Sequence, residues 1–172
     1  MKTNLKSSLF SRYLPLALAV LGLVVAGSTY LTLHKTTPVA EADWYSTGGS
    51  WNYRKAITID HTKISNVATS TYSNFPMLFS VTDADLKTTA NGGKVGTDTG
   101  IDILFTSSNG TTKLSHELER YASTTGETIA WVKIPTLHAA YDEVIYIYFG
   151  NASASDQQDT VNVWDANYKG VW

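Results

Sequence analysis

IDILFTSSNGTTKLSHELERYASTTGETIAWVKIP, residues 101–135, is the stretch that decides the fold. Apolar and polar residues alternate along it with a period of two, the spacing of a half-buried strand. At its centre, Asn109-Gly110 is a strong short-range signal for a two-residue hairpin turn. Pairing Ser108 with Thr111 places Phe105 opposite Leu114, Ile103 opposite His116 and Ile101 opposite Leu118, on a face expected to be the core. The other face receives Leu104 opposite Ser115 and Asp102 opposite Glu117, with Glu119 and Tyr121 further along. A third strand, Ile129 to Ile134, folds back after Gly126 and sets Trp131 beside Glu119 and Lys133 beside Glu117.

That polar face supplies the candidate ligand-binding residues: Asp102, Glu117, Glu119, Tyr121, Trp131 and Lys133. Directly opposed carboxylates repel, and Lys133 answers them, so one reading is a solvated cross-strand charge ladder. A second is a polar platform with an aromatic floor of Trp131 and Tyr121, a surface suited to a sugar ring. A third is a calcium ion held by Asp102, Glu117 and Glu119. No cofactor is otherwise implied.

Outward from this stretch the same periodicity continues. From Asp43 the chain is rich in Thr, Ser, Asn, Gly, Tyr and Trp. Trp51, Tyr53, Ile57 and Ile59 are expected on one face of a first strand, and Phe75, Met77, Phe79 and Val81 on one face of a second. Val144 to Phe149 is apolar on both parities and stops at Gly150-Asn151, as a central strand covered on both sides would. Asp83 to Leu86 can cap one short turn. The fold class is therefore all-β, an antiparallel β-sandwich, with a jelly roll preferred over an immunoglobulin-like Greek key.

The first 42 residues differ. Lys2, Lys6 and Arg12 precede an apolar run over residues 14–33, and the first acidic residue is Glu41. This is the pattern of an export helix, either a cleaved signal peptide or a membrane anchor. Ala40-Glu41-Ala42 and Val24-Val25-Ala26 are the competing cleavage patterns. The expected organisation is export segment and linker over 1–42, sandwich over 43–155, and a linker over 156–172. The location implied is extracytoplasmic, secreted or anchored at the cell surface.

Several function classes are poorly served. A net charge of −2 with scattered Lys and Arg offers no field for nucleic acid. The lack of cysteine excludes disulfides, thiolate metal sites and a cysteine nucleophile. "HELER" at 116–120 starts like a zinc-protease helix, but Arg120 stands where the second His belongs. The histidines at 34, 61, 116 and 138 show no ligand spacing. Two carboxylates at glycosidase separation need a cleft, which a flat sheet face does not provide. A non-enzyme is expected.

The strings WNYRKAITID, FPMLFSV, IDILFTSSNGTTKLSHELERY, WVKIP, VIYIYFGNASA and VWDANYKGVW, in that order, resemble the domain of unknown function 2341 family from about Trp51 to Trp172. The resemblance implies a domain of large exported bacterial and archaeal proteins, commonly beside a laminin-G-like or concanavalin-like lectin sandwich, with no established activity. It marks Asp102, Phe105, Glu117, Glu119, Trp131, Pro135, Gly150 and Asn151 as signature positions without assigning them roles. His116 stands where the family often has an aromatic residue, which implies packing. The last ten residues resemble the linker into that lectin-like neighbour, so the chain is expected to be a fragment, with Trp164, Tyr168 and Trp172 either exposed or folded back on the sheet. The function expected is a structural or adhesion scaffold at the cell surface, the alternative being a carbohydrate-binding module for a glycan or surface polymer.

Overall fold

The computed structural model describes residues 42–65, 67–164 and 168. The export segment at 14–33, both cleavage patterns and Trp172 lie outside the described residues. Among those described, seven strands follow one another: β1 (Tyr53–Ile59), β2 (Thr71–Thr82), β3 (Leu104–Thr106), β4 (Lys113–Leu114), β5 (His116–Ala122), β6 (Glu127–His138) and β7 (Glu143–Phe149). One helical turn, α1 (Thr160–Val163), comes after them. No described helix is long and apolar enough to cross a membrane.

The strands form two antiparallel sheets, ordered β1-β7-β3-β4 and β2-β6-β5. Their facing sides share one core. Ile145, Ile147 and Phe149 of β7 and Phe105 of β3 meet Phe79 of β2 and Ala130, Val132 and Ile134 of β6. Phe79 and Phe105 touch edge to face, 5.3 Å between ring centres. This is the all-β, two-sheet packing that the alternation predicts.

β7 lies between β1 and β3 and is buried on both sides, which is why both parities of Val144–Phe149 are apolar. Its second side, Tyr146 and Tyr148, is covered by the segment from Ala42 to Trp51. Trp51 therefore does not share the β1 face with Ile57 and Ile59. It precedes the strand and packs with Tyr45, Leu104 and Tyr148 in a second cluster. Leu104, expected on a polar face, is fully buried there.

The hairpin at Asn109-Gly110 keeps the anticipated register for two rungs, Thr106 with Lys113 and Phe105 with Leu114. Its turn is longer than two residues: Gly110, at φ 78°, donates to Ser107 O, and the Asn109 side chain accepts from the amides of Thr111 and Thr112. Beyond Leu114 the expected ladder fails. The chain bends at Ser115 and crosses to the other sheet, so His116 pairs with Val132 instead of Ile103, and Leu118 with Ala130 instead of Ile101.

Candidate functional site

The bend at Ser115 takes the expected polar platform apart. Asp102 is not on a strand opposite Glu117. It is fully buried in the turn before β3, where its carboxylate accepts from the amides of Gly96 (2.7 Å), Thr97 (3.1 Å), Gly150 (3.1 Å) and Asn151 (3.2 Å). The Thr97 hydroxyl adds a fifth bond at 2.5 Å. Asp102 thus staples the 94–102 loop to the end of β7, a structural use of a buried charge. The cation site drawn from Asp102, Glu117 and Glu119 is not assembled.

Glu117 faces Trp131 across β5 and β6, where Glu119 had been expected. The cause is a bulge at Glu119: Leu118 pairs with Ala130 and the next paired residue is Arg120, with Ile129. Glu119 is the extra residue, exposed to solvent. The bulge also turns Tyr121 to the other side, opposite the buried Thr128. Its ring packs on the main core, and its hydroxyl donates to Leu86 O at 2.8 Å. Burial, with Asp102 and Asp98 adding to it, raises the Tyr121 hydroxyl pKa well above its ordinary value. Trp131 and Tyr121 therefore do not form one aromatic floor. Lys133, expected beside Glu117, bonds through its backbone to Ser115 O and through its ammonium to Asn162 O at 2.7 Å.

What does occupy the outer face of this sheet is the chain's own C-terminal segment. Trp164 packs edge to face on Trp131 at 5.1 Å, and its indole N–H donates to Glu117 at 2.8 Å. Tyr168 in turn lies 5.1 Å from Trp164. Upstream, the same segment closes the free edge of β5. The Asp159 amide donates to His116 O, the Gln158 side chain accepts from the Leu118 amide at 2.7 Å, and Ser115 donates to the Asp159 carboxylate at 2.8 Å. The Ser115 hydroxyl holds the Asp159 carboxyl below the usual carboxylate range. An uncovered edge strand invites pairing with other chains, and this tail removes that opening.

Within the core, His116 is fully buried against Phe105, 5.3 Å edge to face, as its packing assignment required. Its Nε2 has no hydrogen-bond partner. Burial pushes its pKa down to about 4.

One concave feature has no counterpart among the sequence expectations. At the end of the sandwich near the β6–β7 connection, Ile59, Ile64, Tyr72, Phe75, Met77 and Leu137 line an open groove of about 350 Å³, with Asp60 and Lys63 also on its wall. On a regular strand Tyr72 and Phe75, three residues apart, would point to opposite sides. Asn74 between them has φ 53°, and both rings line the groove, 6.4 Å apart. Next to it, Asp60, His61 and Asp142 offer ligand atoms within 4.8 Å of one another, the only such trio among the described residues. Asp60 caps the turn at His61–Lys63, accepting from Thr62, while Asp142 accepts from the His61 amide and ring. These bonds lower both carboxyl pKa values.

Two antiparallel sheets, a stapled loop and a tail folded over the outer face define a class: a β-sandwich-like domain. Residues 99–169 match the family described as a domain of unknown function (DUF2341), the family that the middle and C-terminal strings resemble. No curated protein and no solved structure matches the chain significantly.

Proposed function

We infer that this chain is a non-catalytic scaffold module of the cell surface, whose C-terminal segment is a built-in clasp instead of a ligand gate. The observation that carries this reading is the edge-to-face packing of Trp164 on the half-buried Trp131, with Glu117 and Lys133 both bonded to the same segment. A sugar platform would present Trp131 bare and keep its polar groups unspent. The six candidate residues are instead divided among a buried staple, a core ring, a bulge and the clasp. The basic start and apolar run at 14–33 support an extracytoplasmic location, secreted or anchored. The alternation of β1, β2 and β3 between sheets, with β6 and β7 returning beside β2 and β1, supports a jelly-roll path in which β4 and β5 are one bent strand.

A glycan-array screen of the full chain, paired with Trp131→Ala, tests this. The scaffold reading expects no glycan whose binding depends on Trp131. A glycan bound by the wild type and lost in a folded Trp131→Ala protein would overturn it in favour of the carbohydrate-binding alternative.

A further inference from the structure

We propose that His116 is an acid-operated latch on the C-terminal clasp: when its ring takes up a proton, residues 156–164 lift from β5 while the two sheets stay paired, baring Trp131 and the β5 edge. This goes beyond the scaffold reading and does not depend on it. The latch is built at the bend. His116 is the first residue of β5, directly after Ser115, where the chain passes from one sheet to the other. Its ring is fully buried against Phe105. Among the described residues Nε2 has no hydrogen-bond partner, and Nδ1 reaches only the Leu114 carbonyl, at 3.4 Å. A neutral ring fits that setting, whereas an imidazolium there is a buried charge short of acceptors.

The clasp is the way out for that charge, because it is bonded to the bend itself. Lys113 donates to Gln157, Ser115 donates to Asp159, and the Asp159 amide donates to the carbonyl of His116. Lifting this segment breaks a few hydrogen bonds and the contacts of Val163 and Trp164. Opening inward would instead part Phe105 and Val132 from the shared core. A segment with few buried contacts opens before the whole domain does. Burial is the dominant influence on the ring and pushes its pKa down to about 4. Lys113 on β4 acts in the same direction, and the carbonyls of Leu114 and Ile103 and the Asp156 carboxylate oppose it. Glu117 on β5, Lys133 on β6 and Asp159 in the clasp are also charged and close to the bend, and each is already bonded, to Trp164, Asn162 and Ser115 respectively. β3 brings no charged side chain. With the buried ring near 4 and a solvated histidine near 6.5, closure is at full strength above pH 6.5 and weakens as pH falls toward 4.

The test is amide hydrogen exchange of the full chain at pH 7.5 and pH 5, with rates corrected for the intrinsic pH dependence of exchange. The amides of Asp159 and Leu118, which donate to His116 O and to Gln158, should lose about 20- to 30-fold in protection at pH 5. At that pH they should exchange at least about tenfold faster than the amides of β7, which lies between β1 and β3. His116→Phe should abolish the clasp's loss of protection, while Asp159→Asn and Glu117→Gln should each retain it. Three outcomes sink the proposal: protection of the clasp unchanged at pH 5, clasp and β7 amides exchanging at one common corrected rate, or a loss that persists in His116→Phe. Should His116→Phe fail to fold, His116→Leu replaces it with the same expected effect.

Discussion

His116 and Asp102 are both buried polar residues, yet they do opposite things. The Asp102 carboxylate meets five donors, so Asp102→Asn turns an amide NH₂ toward backbone N–H groups that then lack an acceptor. A loss of about 2–4 kcal/mol in urea unfolding is expected. Added calcium should leave the wild-type melting temperature where it is, since this carboxylate is already filled. His116 keeps an orphaned Nε2 in an apolar core. Its folded pKa, about 4, lies below the unfolded value near 6.5, so the stability it contributes is complete above pH 6.5 and is lost as pH falls toward 4. That displacement is worth about 3 kcal/mol at most. Urea melts between pH 4 and 7.5 should show this slope, and His116→Phe should flatten it while raising stability at neutral pH. A slope that persists in the variant would place the titration elsewhere. Of these two residues, the packing of His116 was legible, because alternation alone sets its side inward. The setting of Asp102 was not, because its donors come from residues 96, 97, 150 and 151.

At the scale of the element, β5 shows why the candidate face was misread. Strict alternation puts Glu117, Glu119 and Tyr121 on one side, and a single extra residue reverses it. Deleting Glu119 should therefore be tolerated, with Tyr121 still opposite Thr128 and a change in stability within about 1 kcal/mol, whereas deleting Leu118 removes a core side chain and should prevent folding. Thermal melts of the two deletions distinguish these outcomes. The clasp makes its own prediction: Trp164→Ala should cost about 1–2 kcal/mol and speed hydrogen exchange at the Leu118 amide, which donates to Gln158. Unchanged exchange there would mean that the edge of β5 is held without Trp164. The hairpin was legible at its centre, where Asn109-Gly110 is local chemistry, and only for two rungs. Nothing in the sequence marks Ser115 as the place where the strand leaves one sheet for the other.

Across the whole molecule, the first strand pairs with the last, Tyr53 with Phe149 and Ile59 with Glu143, and β2 pairs with β6 across a long stretch of chain. Such non-local pairing predicts folding on the millisecond-to-second scale, measurable by stopped-flow fluorescence of the tryptophans. A microsecond phase carrying the full amplitude would contradict that expectation. The sequence by itself determined the all-β class, the twofold alternation, the central position of β7 and the position of the hairpin, because each rests on periodicity or turn chemistry within a few neighbouring residues. Only the tertiary structure decided where Asp102 finds its donors, which way Tyr121 faces, what lies on Trp131 and which rings line the groove. Those depend on a bend, a bulge, one left-handed asparagine and a returning tail. Each brings together residues far apart in the chain or shifts a strand by one position, a change that period-two alternation does not reveal.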